Sequence, residues 1–78
     1  MHTMAAKKQS FVDRYPELAY FAEAQGTVEI GKGYNYDSLV RLIDEGGTLW
    51  EDDGTLTLVE ALDAAEAFCK AAFGKDGY

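Results

Sequence analysis

Basic residues and cysteine are scarce in this chain of 78 residues. Seven lysine and arginine residues stand against 14 aspartate and glutamate residues, so the formal net charge is -7 at pH 7. Because phosphate backbones and anionic lipid surfaces repel such a chain, we expect it to bind neither nucleic acid nor membrane. The one cysteine, Cys69, excludes an internal disulfide and a cysteine-based metal cluster, and it suits a reducing cytoplasm.

Long apolar runs, a second histidine and nucleotide-binding glycine patterns are also missing. No stretch approaches the roughly 18 apolar residues of a membrane-spanning helix, and we expect no secretory signal at the N-terminus. The lone histidine, His2, has no other metal ligand beside it. Gly31 and Gly33 lack the third glycine of a dinucleotide-binding loop, because Tyr36 stands in its place. We therefore expect a cytoplasmic, non-enzymatic protein without a catalytic residue, cofactor or bound metal.

Apolar and aromatic residues suffice for one small packed domain. Hydrophobic residues make up 47% of the chain and aromatic residues 13%, which favours a folded domain over a disordered chain. We expect a flexible tail over residues 1–10 and a single domain over residues 11–78. A core of this size rarely supplies more than about 3 to 5 kcal/mol, so self-association is a natural supplement.

Start and stop signals indicate two helices. Pro16, at a first helical position, begins one helix, which should end at Gly26. Thr57 and Glu60 form a capping box that begins the other helix, which should end at Gly74.

Three strands are predicted between these helices, over Thr27–Ile30, 38–44 and 48–52. The last two should meet at Gly46 and Gly47, a pair that can adopt the positive φ of a tight hairpin. The predicted fold class is α+β, with a helix, a three-stranded antiparallel sheet and a second helix (αβββα).

The second strand is apolar on both sides, so both sheet faces need cover. An even hairpin loop would place Leu39, Arg41, Ile43, Thr48 and Trp50 on one face and Val40, Leu42 and Leu49 on the other. Only an odd loop would change this partition. The two helices could share one face or lie one on each. If they share a face, a second copy of the chain could stack on the other and form a homodimer.

Aromatic residues and arginine supply the candidate protein-interaction surface, since these residue types carry most interface energy. The candidates are Trp50, Arg41, Leu39, Tyr34 and Tyr36. Core burial is the alternative for Trp50 and Leu39, and packing over a sheet edge is the alternative for the tyrosines. Arg41 could stack on Trp50, pair with an acidic neighbour or reach a carboxylate of a partner.

Five acidic residues are grouped near the hairpin and the turn after it. They are Asp44, Glu45, Glu51, Asp52 and Asp53. Oxygen ligands could attract a divalent cation, but a solvated edge that discourages sheet aggregation explains the group better. Cys69 lies on the apolar stripe of the last helix, and we expect it to pack as a small hydrophobe and not to react as a nucleophile.

The chain resembles small bacterial proteins of unknown function that are frequent in cyanobacteria, over residues 15–68. The matching pieces are Tyr15-Pro16, Val28-Glu29-Ile30-Gly31, Leu39-Val40-Arg41, Asp44-Glu45-Gly46-Gly47, Leu49-Trp50-Glu51, Thr57-Leu58 and Glu60-Ala61-Leu62. Thr27 departs from the pattern, where the resemblance implies a bulkier aromatic residue. The resemblance implies a defined fold and brings no activity, cofactor or catalytic residue.

Exclusion leaves a protein-interaction or regulatory module, whose partner is a second copy of the chain or another protein. The alternative is an acidic inhibitor or nucleic-acid mimic that occupies a basic groove of another protein, which the charge of -7 motivates. Binding that weakens steeply with salt would favour the mimic, and salt-insensitive binding would favour an apolar contact.

Overall fold

A computed structural model describes residues 10–33 and 36–74 of the chain. The helices are α1 (Phe11–Arg14), α2 (Pro16–Ala24) and α3 (Leu58–Phe73), and the strands are β1 (Thr27–Ile30), β2 (Val40–Asp44) and β3 (Gly47–Glu51). The strands form one antiparallel sheet in the order β1-β2-β3. The predicted α+β class and three-stranded sheet are confirmed, but the element order is ααβββα because a short helix precedes the predicted one.

Helix α1 was not predicted, although its capping residue is visible in the sequence. The Ser10 side chain accepts a hydrogen bond from the Asp13 amide at 3.1 Å, which caps the N-terminus of α1. Pro16 disfavours helical geometry at the residue before it, and Tyr15 accordingly has φ -128° and ψ 61°. A single turn therefore forms before α2 begins. The rest of the predicted tail, residues 1–9, lies outside the described residues.

Helix α2 begins at Pro16 as predicted, but its N-terminus is capped by a side chain from α3. Glu66 accepts hydrogen bonds from the backbone amides of Glu17 at 3.1 Å and Leu18 at 2.9 Å. Tyr15, in the N-cap position, makes no capping hydrogen bond with its side chain. A carboxylate is favourable at the positive end of the helix dipole, so Glu66 ties the two helices together.

Both long helices pack on the same face of the sheet. One core cluster contains buried side chains of α2, of α3 and of the central strand: Tyr15, Leu18, Phe21, Val40, Leu42, Ala61, Leu62, Ala65 and Cys69. Val40 and Leu42 are the sheet's buried contribution, and Val28 of β1 and Trp50 of β3 pack against the same cluster. The sequence left open whether the helices share a face, and the structure has them together.

A β-bulge between β2 and β3 overturns the predicted partition of side chains. Leu42 pairs with Trp50 and Ile43 pairs with Thr48, so Leu49 is an extra residue on β3. The hairpin has an even loop, but the bulge shifts the alternation by one position. Trp50 therefore lies on the helix-covered face beside Leu42, and not beside Arg41 as predicted.

Asp52 fastens the loop before β2 to the end of β3. It is 5% exposed, and its carboxylate accepts hydrogen bonds from the amides of Leu39 at 2.8 Å, Val40 at 2.7 Å and Gly54 at 3.1 Å. Burial by itself would raise the pKa of Asp52, but the N–H groups of Val40, Gly54 and Leu39 outweigh it and lower the pKa below its ordinary value of 3.8. The ionised carboxylate is therefore part of the folded structure.

We predict that Asp52→Asn lowers the free energy of unfolding by about 1.5 to 3 kcal/mol at pH 7, since hydrogen bonds to a charged group are lost and an amide NH₂ replaces one acceptor. Urea denaturation followed by Trp50 fluorescence measures the change. The matched control is Asp53→Asn, because the neighbouring carboxylate is exposed and bonds only to Thr55 among the described residues. An equal loss in both variants would contradict a special role for Asp52.

The lowered pKa of Asp52 gives this effect a pH dependence of known sign. The unfolded chain takes up the proton first, so the stabilisation is complete above about pH 4 and is lost as the pH falls through the lower folded pKa. The difference in stability between the natural chain and Asp52→Asn should therefore shrink on acidification. A difference that grows below pH 4 would contradict this account.

Candidate interaction site on the open sheet face

The face of the sheet opposite the helices is polar, and we call it the open sheet face. Two rows of directly paired residues line it: Thr27, Ile43 and Thr48, and Glu29, Arg41 and Glu51. The two threonines and Glu51 are exposed, Glu29 and Ile43 are half-buried, and Arg41 is buried. The alternate positions on the helix-covered face include Val28, Val40, Leu42 and Trp50, so that face is the more apolar of the two.

Arg41 is buried on this face because backbone and side-chain acceptors surround its guanidinium group. Its Nε donates to Glu29 Oε1 at 3.0 Å, and Nη1 donates to the carbonyl of Ser38 at 2.8 Å and to the Ser38 hydroxyl at 3.0 Å. Its Nη2 donates to the carbonyl of Gly31 at 2.8 Å. Arg41 thus joins β1, β2 and both ends of the loop between them, and its charge is compensated by Glu29.

Tyr36 lies over this group as its cover. The Cζ atom of Arg41 is 4.4 Å from the centroid of the Tyr36 ring, which is the geometry of a cation–π contact. A Cβ atom at Gly33 would overlap Cδ2 at the edge of the same ring, so glycine is needed for this close approach. Tyr36 is nevertheless 46% exposed. The ring thus has a contact on one face and another at one edge, and nearly half of the residue's surface is exposed.

Two carboxylates flank the Arg41 side chain on the open sheet face. Glu29 Oε1 accepts from Arg41, and Glu51 Oε1 accepts from the Ser38 hydroxyl at 2.9 Å. The second oxygen of each carboxylate has no hydrogen-bond donor among the residues that the structure describes. Within the two paired rows, Arg41 is paired with Glu29 and the charge of Glu51 has no basic partner among the described residues.

The five predicted interaction residues do not form one surface. Tyr36 and Arg41 lie on the open sheet face, but Arg41 is only 4% exposed and its guanidinium contacts Tyr36 instead of Trp50. Leu39 precedes β2, so strand alternation does not govern it, and it packs against the core cluster. Tyr34 lies outside the described residues. The prediction that these side chains share a face is wrong for Trp50 and Leu39.

Trp50 belongs to a row of aromatic rings on the helix-covered face. Its ring stacks on Phe68 with centroids 6.2 Å apart, Phe68 meets Phe73 edge-on at 6.3 Å, and Phe73 stacks on Phe21 at 6.0 Å. Trp50, Phe68 and Phe73 are half-buried, and Phe21 is buried. The core alternative for Trp50 is therefore the one that the structure supports.

The acidic residues predicted as one group are divided between the two ends of β3. Asp44 and Glu45 lie at the hairpin, where Asp44 accepts from the Gly46 amide at 2.8 Å, whereas Asp52 and Asp53 bind backbone amides beyond the other end. No group of three or more potential metal ligands occurs within residues 10–33 and 36–74. Asp44, Asp52 and Asp53 accept hydrogen bonds from the backbone of turns and loops.

Cys69 is buried in the core, as predicted. Burial is the main cause that raises the pKa of its thiol to about 11, and the negative charges of Glu66 and Glu17 add to it. The thiol is therefore protonated at neutral pH, which fits packing and disfavours nucleophilic chemistry.

Sequence reasoning missed Glu29, Glu51, Ser38 and Gly33 as parts of the site. Glu29 of β1 and Glu51 of β3 both pair with Arg41 of β2. The bulge between β2 and β3 makes the pairing of Glu51 hard to infer from the alternation of side chains. The usable signal was Arg41 itself, because an arginine inside an apolar strand needs acceptors around it.

Comparison with known proteins gives this chain no relative: no family model matches it, and no curated protein or solved structure is significantly similar to it. The resemblance to small cyanobacterial proteins stays a prediction. Among the described helices, none is long and apolar enough to cross a bilayer.

We predict that Arg41→Lys lowers the free energy of unfolding by about 1 to 3 kcal/mol, because an ammonium group cannot serve all the acceptors that the planar guanidinium reaches. Arg14→Lys is the matched control, since the Arg14–Asp63 ion pair is exposed and should contribute little. Urea denaturation of both variants measures the difference. Arg41→Lys as stable as the natural chain would show that the buried network is dispensable.

Proposed function

We propose that this protein is a non-enzymatic, cytoplasmic protein-interaction module that binds its partner through the open sheet face. The observation that carries the proposal is the placement of both long helices on the other face. Tyr36, Glu51 and the two threonines are exposed on the side left over, and none of the described elements packs on it. A rigid sheet with a shaped polar surface suits recognition of another macromolecule.

A different protein suits this face better than a second copy of the chain. Face-to-face stacking of two copies would put Glu29 and Glu51 of both copies into one interface, and this accumulation of negative charge opposes association. Ile43 is the aliphatic side chain of the paired rows, and it is half-buried already. The homodimer predicted from the sequence stays a prediction that the solution mass decides.

The acidic inhibitor or nucleic-acid mimic is the second candidate, and the net charge of -7 favours it. A mimic would use carboxylates distributed over the whole surface, whereas the proposed module uses one face. Variants confined to that face therefore separate the two.

Site-specific photo-cross-linking in the source cells tests the proposal. A benzophenone amino acid at Thr27 or Thr48 places the reactive group on the open sheet face, and Ala67 and Ala71 provide exposed control positions on α3. We expect the same protein to cross-link from both threonine positions and from neither control. That protein, once purified, should bind the natural chain and should bind Thr48→Lys, a change at an exposed position of the open sheet face, much more weakly.

Three outcomes would contradict the proposal. Cross-links from α3 alone would assign the interface to the helices, and cross-links from all positions alike would favour a mimic. A product of two 8.6 kDa chains, with a matching mass in light scattering, would replace the external partner with a homodimer.

A further inference from the structure

We propose that the open sheet face recognises an arginine side chain of its protein partner, which stacks on the outer side of the Tyr36 ring between Glu29 and Glu51. This inference rests on the proposed docking face and names the chemistry of its occupant. Three features support it: the position of the Tyr36 ring over Arg41, the second carboxylate oxygens of Glu29 and Glu51, and the negative charge of these two residues.

The Tyr36 ring is preorganised for stacking. Arg41 lies against its inner side at 4.4 Å, and Gly33 closes off the ring edge at Cδ2. Tyr36 is 46% exposed in spite of these two contacts. A cation that stacks there does not have to order the ring first, so less conformational entropy is lost on binding.

The two carboxylates provide acceptors on the strands to either side of Arg41, on which the Tyr36 ring stacks. Glu29, Arg41 and Glu51 are directly opposite one another on three adjacent strands, so the Cα atoms of the two glutamates are about 10 Å apart. The Glu29 side chain is 44% exposed and Glu51 is exposed. Each carboxylate accepts a hydrogen bond within the chain through one oxygen, and its other oxygen has no donor among the described residues.

Arginine fits this arrangement better than lysine does. A guanidinium group is planar, so it can lie flat on the ring and still direct N–H donors sideways at carboxylate oxygens. An ammonium group has no plane to stack and is more strongly hydrated. Charge complementarity favours a cation of either kind, because Arg41 is already paired with Glu29 and Glu51 has no basic partner among the described residues.

Titration of the ¹⁵N-labelled chain with two blocked peptides tests the inference. Ac-(Gly-Arg)₃-NH₂ and Ac-(Gly-Lys)₃-NH₂ carry equal charge and differ in the cation. We expect the largest amide shifts at residues 27–31, 36–41 and 48–51, and an affinity about two- to fivefold higher for the arginine peptide. Tyr36→Leu should abolish this preference and Tyr36→Phe should keep it.

Matched variants separate the specific contact from general attraction. Tyr20→Leu removes a tyrosine of similar exposure from α2 and should leave the preference for arginine unchanged. Glu29→Gln with Glu51→Gln should weaken the arginine peptide more than Glu23→Gln with Glu45→Gln, which changes the net charge equally outside the open sheet face. Unchanged amide spectra outside the mutated region establish that each variant is folded.

Equal affinity for the two peptides, or shifts spread over all the carboxylates, would overturn the inference. So would a preference for arginine that survives Tyr36→Leu. These results would leave the cross-linking test of the docking face unaffected, since that test does not depend on the chemistry of the partner. Failure of cross-linking at Thr27 and Thr48 would instead remove the proposed function on which the inference rests.

Discussion

The buried guanidinium of Arg41 is the group on which the open sheet face depends. It holds Glu29 of the first strand, Gly31 at the start of the long loop and Ser38 at its end, and it supports the ring of Tyr36. Desolvation of a charged group offsets much of what such a network gains, so the net stability it provides is modest. Its loss is costly all the same, because the acceptors around it would be left without a donor.

Carboxylates inside the fold complement this one arginine. Asp52 accepts hydrogen bonds from the amides of Leu39 and Val40, where the loop joins β2, and Glu66 of α3 caps the N-terminus of α2. Both use negative charge to satisfy backbone donors that no helix or ladder serves. An acidic composition therefore has a structural role in this chain as well as a place on its surface. Glu29 and Glu51 have both roles, since each accepts a hydrogen bond within the chain through one oxygen and is at least partly exposed.

Element types followed from the sequence wherever the signal is local. The capping box of Thr57 and Glu60, proline at the start of α2 and the strand Thr27–Ile30 are confirmed. Trp50 could not be placed, because the bulge at Leu49 shifts the alternation of side chains along β3 by one position. Helix α1 was not predicted for another reason. It is a single turn capped by Ser10, which is too short to show a helical periodicity in the sequence.

Hydrogen exchange at the side chain of Arg41 measures whether its guanidinium group is enclosed by the acceptors around it. Its Nε–H donates to Glu29 inside a group that is 4% exposed, whereas the Nε–H of Arg14 donates to the Tyr15 hydroxyl in an exposed side chain. We expect the Arg41 signal to be present in the ¹H–¹⁵N spectrum and to exchange with solvent at least tenfold more slowly than that of Arg14. Equal exchange rates would contradict this expectation, because the guanidinium would then be open to water and could not organise the face.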